Sequence, residues 1–86
     1  MPALAPVPPE TLKRILEKYG YHLLKDDEYN WVLVHDEKDL PIVIPKLGDL
    51  VAVDVMMGAL NMAKMDNATY FSLHTHVFAE QKAQAN

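Results

Sequence analysis

The segment from Tyr29 to Pro45 constrains the fold more than any other part of the chain. It has two runs of β-branched and aromatic residues, Tyr-Asn-Trp-Val-Leu-Val-His and Leu-Pro-Ile-Val-Ile-Pro, on either side of the polar Asp-Glu-Lys-Asp. This pattern predicts a β-hairpin with a longer loop. Alternation along the first strand places Trp31 and Leu33 on one face, and Val32 and Val34 on the other. Because a two-stranded ribbon alone is marginally stable in water, one of these faces must pack on helices.

The residues before the hairpin predict a helix and then an edge strand. Pro9 suits the first turn of a helix, and Gly20 is a typical residue just past the end of one. Between them the apolar residues recur at helical spacing; they are Leu12, Ile15, Leu16 and Tyr19. The short segment from Tyr21 to Lys25 then predicts an edge strand, and Pro41 and Pro45 place the last strand of the hairpin at an edge too.

The residues after the hairpin predict two more helices. One helical pattern runs from Leu50 to Met65, with Asp49 as its N-cap. Val51, Val53 and Val55 also fit a strand by alternation, which leaves the start of this helix open. Gly58 lies inside this pattern, where we expect another element to pack closely against it. Asp66 can cap a last helix that begins at the next residue. The expected apolar face of the Leu50–Met65 helix consists of Val53, Met56, Met57, Leu60 and Met65.

These elements predict one α+β domain with a three-stranded antiparallel sheet packed against helices, in the order α-β-β-β-α-α. We expect the domain to cover residues 9–78, between a proline-rich N-terminal arm at 1–8 and a polar C-terminal tail at 79–86. The chain has no cysteine, which excludes disulfides and thiolate chemistry and fits a cytoplasmic protein. No apolar run approaches the ~20 residues of a membrane span, and the proline-rich start is unlike a signal peptide.

Charge argues against tight nucleic-acid binding. The chain has 8 Lys and Arg against 12 Asp and Glu, a net charge of −4, whereas nucleic-acid binders cluster basic residues on one surface. The best basic patch is Lys13, Arg14 and Lys18 on the first helix. Such a patch is either an ordinary solvated helix face or a weak contact for RNA.

The element order and several short stretches resemble the HicA (YcfA-like) toxins of bacterial toxin–antitoxin systems. The family begins with an amphipathic helix that ends in Gly and an aromatic residue, as the segment from Leu12 to Tyr21 does. The segment from Glu28 to Leu33 corresponds to the family's next strand. The segment from Ile42 to Pro45 corresponds to the family's strand that ends in proline. The segment from Asn61 to Met65 is a weaker counterpart of the end of the family's second helix. The resemblance implies a fold like that of double-stranded-RNA-binding domains.

The departures from the family pattern bear on function. The position of the family's catalytic histidine, which acts in RNA cleavage, is Asn30 in this chain. An amide cannot exchange a proton near neutral pH, so it cannot replace histidine as a general acid or base. Where the family has small residues beside this histidine, the chain has Glu28 and Tyr29. The family's basic residue at the start of the second helix falls near Met57. The resemblance therefore implies a relative of mRNA interferases whose ribonuclease activity is lost or altered.

Other candidate chemistry in the sequence has a plain structural interpretation as well. His35, next to Asp36, is a possible substitute for the missing base, or an exposed turn residue. His74 and His76 lie about 200° apart on a helix, which prevents them from sharing an ion. The acidic turns lack the ligand order of a calcium loop. We therefore predict no metal site and no cofactor.

Three functional hypotheses follow. In the first, the protein is a HicA-like toxin relative that binds RNA weakly and pairs with an antitoxin-like protein. The RNA-binding residues would then be Lys13, Arg14, Lys18, Trp31 and Lys46. In the second, the fold serves as a non-enzymatic protein-interaction or dimerisation module, with a homodimer expected. In the third, ribonuclease activity persists with His35 as its base. RNA binding predicts that the basic residues converge on one surface, whereas an interaction module predicts an apolar face that is buried between two copies.

Overall fold

The computed structural model describes residues 4–84 and confirms an α+β architecture with a three-stranded antiparallel sheet and three helices. The elements are α1 (Pro9–Lys18), β1 (His22–Asp26), β2 (Asn30–Val34), β3 (Ile42–Pro45), α2 (Val53–Ala63) and α3 (Asn67–Gln84). Residues 1–3 of the expected arm and residues 85–86 of the expected tail lie outside the described part of the chain. None of the described helices has the length and apolar character needed to cross a membrane.

The sheet has the order β1-β2-β3, so the predicted hairpin forms its centre and one edge. Trp31 pairs with Ile44 and Leu33 pairs with Ile42, which places these four residues on one face. Leu33 and both isoleucines are buried, so this is the inner face, and the alternation predicted for the first strand is confirmed. The outer face carries Asn30, Val32, Val34, Val43 and Pro45, none of them buried.

Two helices, α1 and α2, cover the inner face by packing on β3, and α3 packs on α1. α1 ends as predicted, because Gly20 has φ +108°, a conformation that a residue with a Cβ adopts only with strain. The largest fully buried side chains are Tyr70, Leu12, Ile15, Leu16, Leu33, Ile42, Ile44, Met56 and Val77.

α2 begins at Val53, three residues later than expected, and Asp49 does not cap it. The cause is a β-bridge at Val51, whose N–H donates to the carbonyl of Val7 at 2.7 Å. This bridge holds the backbone of Val51 extended, so the helix starts behind Ala52, which offers no side-chain cap. Both valines are buried. The proline-rich arm is thus docked on the domain at Val7.

Two expectations for α2 were wrong. Met57, on its predicted apolar face, is 51 % exposed instead of buried. Gly58 does not mark a close approach, because a Cβ at this residue would meet nothing within 4 Å in the described chain. Helical spacing alone put Met57 near the core, but the core stripe of α2 is narrower and consists of Met56, Ala59, Leu60 and Ala63.

α3 begins where it was predicted, and Asp66 is its N-cap. The Asp66 carboxylate accepts a hydrogen bond from the backbone N–H of Thr69 at 2.7 Å. This bond lowers the pKa of Asp66, with a further contribution from the Thr69 hydroxyl, because both stabilise the charged form. The helix continues to Gln84, so residues 79–84, which were expected to belong to a polar tail, extend it.

Candidate functional site

The five predicted RNA-binding residues do not form one surface. Trp31 is half-buried at the end of the inner sheet face, and the ammonium groups of Lys13 and Lys46 each lie 5.3 Å from the centroid of its ring. The structure therefore brings together three of the five, from α1, β2 and the residue after β3. Such cation–π contacts are typical of stable packing as well as of binding surfaces.

Both lysines of this cluster are also bound to acidic groups. Lys46 donates to the Asp26 carboxylate at 2.5 Å and to the carbonyl of Asp27 at 2.8 Å. Lys13 lies 3.5 Å from the carboxylate of Glu17, one turn further along α1. The positive charge around Trp31 is therefore largely compensated within the domain.

Arg14 and Lys18 lie elsewhere, in a cleft of about 300 Å³ that Glu17 and Glu80 also line. Arg14 pairs with Glu10 at 3.1 Å, and Lys18 pairs with Glu80 of α3. The hydrogen bond from Lys18 lowers the pKa of Glu80. Two further lysines lie apart from these groups. Lys25 pairs with Val32 across β1 and β2, and Lys64 is the C-cap residue that follows α2.

Asn30 lies at the start of β2, where its side chain falls on the outer face with Pro45. Its backbone N–H donates to the Asp27 carboxylate at 2.7 Å, and the N–H of Tyr29 donates to the same oxygen at 2.9 Å. These two bonds lower the pKa of Asp27, the one from Asn30 more strongly. The acidic turn thus fixes the start of the strand, in agreement with its plain structural interpretation.

His35 cannot stand in for a base at Asn30. The two residues are five apart along an extended strand, which separates them by roughly 16 Å, and their opposite parity puts them on different faces. The Nδ1 atom of His35 accepts a hydrogen bond from the N–H of Glu37 at 3.0 Å, and its ring meets the edge of Tyr21. A Cβ at Gly20 would lie 2.6 Å from Nε2 of this imidazole. His35 therefore fastens the β2–β3 loop to the end of α1.

The hydroxyl of Tyr21 is buried beside His35 and has no hydrogen-bond partner among the described residues. Burial, and secondly the neighbouring Tyr19, raise the pKa of this phenol. The group is therefore a neutral, desolvated hydroxyl near neutral pH.

The remaining histidines do not form a metal site. His74 stacks between Tyr70 and Phe78 on α3, with ring centroids 5.9 Å and 6.5 Å away. His76 is two residues further along the same helix and faces another way, as predicted. Within residues 4–84, no group of three or more metal-ligating side chains lies close enough to hold an ion.

A surface that the sequence reasoning missed lies between β3 and α2. We call it the α2–β3 groove. It has a volume of about 270 Å³ and is lined only by uncharged residues, namely Pro41, Ile42, Val43, Val55, Gly58, Ala59 and Met62. Val43 is 51 % exposed and Met62 is 42 % exposed, so the groove has apolar walls that face solvent. Val55, Gly58 and Met62 recur at i, i+3 and i+7, a second stripe on α2 that could have been recognised from the sequence.

The backbone edge beside the groove is poorly suited to pairing with a further strand. Lys46 donates its N–H to the carbonyl of Tyr29 at 2.8 Å, in the same register as the β2–β3 ladder. Because hydrogen-bonded pairs alternate along an antiparallel ladder, residues 41, 43 and 45 direct their backbone groups away from β2. Pro41 and Pro45 have no N–H, which leaves Val43 as the single outward-facing donor along residues 41–45. The prolines therefore disfavour extension of the sheet by a binding partner.

The groove continues past Met62 into a charged pocket of about 240 Å³. We call its four charged residues the rim; they are Glu37, Lys38, Asp39 and Lys64. Among the described residues, none of these side chains forms an ion pair or a hydrogen bond. Lys64 has φ +55°, a left-handed conformation that is costly for a residue other than glycine or asparagine.

Comparisons of the chain with models of protein families, with curated proteins and with solved structures found no match. The relationship to HicA-like toxins therefore stays a prediction from the sequence.

Proposed function

We propose that this protein is a non-enzymatic protein-interaction module that binds a partner in the α2–β3 groove. The observation that carries this proposal is the groove itself, an apolar surface with exposed Val43 and Met62 at its walls. Exposed aliphatic side chains around a groove can receive apolar side chains of another protein. Because the prolines at the edge weaken strand pairing, we expect the partner to insert apolar side chains from a helix or loop.

The dispersal of the other candidate groups also supports this choice. The basic residues named for RNA divide between Trp31 and the cleft at Glu80, and each is matched by a carboxylate. His35 is held by the backbone N–H of Glu37 and packs on Gly20, and no hydrogen bond or ion pair within residues 4–84 joins it to a second acid or base. A ribonuclease needs a base, an acid and a surface for phosphates, whereas an interaction module needs only the groove.

Site-specific photocrosslinking in cells tests this function. A photoreactive phenylalanine analogue at Val43 lies in the groove, and the same analogue at Leu24, which is 65 % exposed on β1, is the matched control. We expect an adduct from position 43, none from position 24, and loss of the adduct when Gly58→Leu fills the groove. Equal adducts at both positions, no adduct at 43, or an adduct insensitive to Gly58→Leu would refute the proposal.

A second candidate function is RNA binding without cleavage, which the HicA resemblance implies and which the meeting of Lys13 and Lys46 at Trp31 favours. With two lysines neutralising phosphates, log K for single-stranded RNA should change with log salt by a slope of about −1.4. Lys13→Ala should reduce this slope by about 0.7, whereas Lys25→Ala, on the outer sheet face, should leave it unchanged. The RNA should stay intact in the presence of both the native chain and His35→Ala. A slope near zero for the native chain would end this candidate.

A further inference from the structure

The groove and its charged rim together point to a specific occupant. We infer that the partner in the α2–β3 groove is a second copy of this chain, related by a two-fold axis. This inference rests on the proposed function, since it names the occupant of the same groove. Four features support a second copy: the charges of the rim, the net charge of the chain, the space over Gly58 and the small size of the domain.

The rim has the charges that a self-complementary interface requires. In a two-fold interface the same patch meets itself, so each residue type needs its complement within the patch. The rim offers two ammonium groups, Lys38 and Lys64, and two carboxylates, Glu37 and Asp39, and no described residue of the same chain pairs with them. The lysines of one copy can therefore meet the carboxylates of the other.

The net charge of the protein favours this face over others for self-association. The two lysines and two acids of the rim cancel, and the groove lining has no charge. The whole net charge of −4 is therefore located on the rest of the chain. Two copies that approach through any other face meet more of this like charge, so repulsion directs them towards the groove.

Shape gives a third argument. Gly58 leaves open space in the middle of the exposed stripe of α2, since a Cβ there would touch nothing within 4 Å. Met62 projects one turn further along the same stripe and is 42 % exposed. In a two-fold arrangement Met62 of each copy fills the space over Gly58 of the other, as a flexible thioether chain is suited to do. A chain of 86 residues buries a smaller fraction of its surface than a larger domain does, so it gains stability from such a contact.

Sedimentation of the purified full chain tests the inference. Between about 10 μM and 1 mM, a range that populates weak complexes, we expect the mass to rise towards that of a dimer. Gly58→Leu should weaken the dimer at least tenfold while the chain stays folded, because leucine is the better helix former at this open position. Asn61→Leu is the matched control, since it adds the same side chain to α2 outside the groove lining. We expect it to dimerise like the native chain.

A charge exchange distinguishes a second copy from any other partner. The variant Lys38→Glu with Lys64→Glu and the variant Glu37→Lys with Asp39→Lys should each be monomeric, because like charges then face each other. An equimolar mixture should form a heterodimer. If the native chain stays monomeric at every concentration, or if Gly58→Leu dimerises unchanged, the inference is wrong. A groove-specific photoadduct at Val43 with a mass other than twice the chain would overturn the second copy and leave the proposed function standing.

Discussion

Gly20→Ala is the substitution whose effect on the free energy of unfolding is most informative, because two features of the structure oppose it. The backbone of Gly20 has φ +108°, and holding a non-glycine residue in such a region costs about 1–3 kcal/mol. The new Cβ would also lie 2.6 Å from Nε2 of His35, so the imidazole must move. That movement breaks the bond from the Glu37 N–H, worth about 1 kcal/mol, and the edge contact with Tyr21, worth about another 1 kcal/mol.

These contributions add to a loss of about 4 kcal/mol in the free energy of unfolding. This loss is large beside the total free energy of unfolding of ~4–13 kcal/mol expected for the chain at 0.05–0.15 kcal/mol per residue. Urea unfolding followed by the fluorescence of Trp31 measures it. The double variant with His35→Ala separates the two causes. Without the imidazole, Gly20→Ala should cost only the backbone contribution, which gives a coupling of about 2 kcal/mol between the two sites. A cost of Gly20→Ala below about 1 kcal/mol, or no coupling with His35→Ala, would refute the reasoning.

Three further predictions concern single groups. Tyr21→Phe removes a buried hydroxyl that has no partner among the described residues, so it should leave the free energy of unfolding unchanged or raise it by up to about 1 kcal/mol. A lower free energy of unfolding in urea would mean that the hydroxyl has a partner. Lys64→Gly relieves the left-handed backbone at the end of α2 and should stabilise the chain by about 0.5–1 kcal/mol; a lower denaturation midpoint would contradict this. The N-cap bond from Thr69 lowers the pKa of Asp66 below its ordinary value of 3.8, so its stabilisation is complete above that pH and is lost as the pH falls through the lowered value. Asp66→Asn, which keeps a capping oxygen that does not titrate, should therefore lose less thermal stability than the native chain on acidification; an equal loss in both would argue against the bond.

The sequence predicted those elements that depend on local pattern. The hairpin followed from alternation, the end of α1 from Gly20 and the start of α3 from Asp66, and each of these signals acts within a few residues. The start of α2 could not be predicted, because a long-range bridge to Val7 sets it. Long-range packing likewise decides that Met57 is exposed, whereas helical periodicity treats every apolar residue near the stripe as buried.

The candidate site was predictable only in part, for a related reason. Lys13, Trp31 and Lys46 come from α1, β2 and the residue after β3. The sequence identified these residues as candidates, but it did not predict that their side chains lie together. The spacing of Val55, Gly58 and Met62 marks a second stripe on α2, but the packing of β3 beside this stripe, which forms the α2–β3 groove, is a long-range contact that no local pattern predicts. The fold brings carboxylates to two of the basic residues, since Glu80 is 62 positions from Lys18 and Asp26 is 20 from Lys46. Glu10 and Glu17 are one turn from Arg14 and Lys13 on α1, so helical spacing alone predicts these two pairs.

Methyl NMR of the methionines is the most direct test of the central claim that two copies of the chain meet through the α2–β3 groove. Three methionines of α2 report on three environments, since Met56 is buried, Met62 lines the groove, and Met57 is exposed but outside it. As the protein concentration is raised, the account predicts that the methyl signal of Met62 shifts while those of Met56 and Met57 stay in place. A fixed Met62 signal, or a Met57 signal that moves as far as that of Met62, would contradict it.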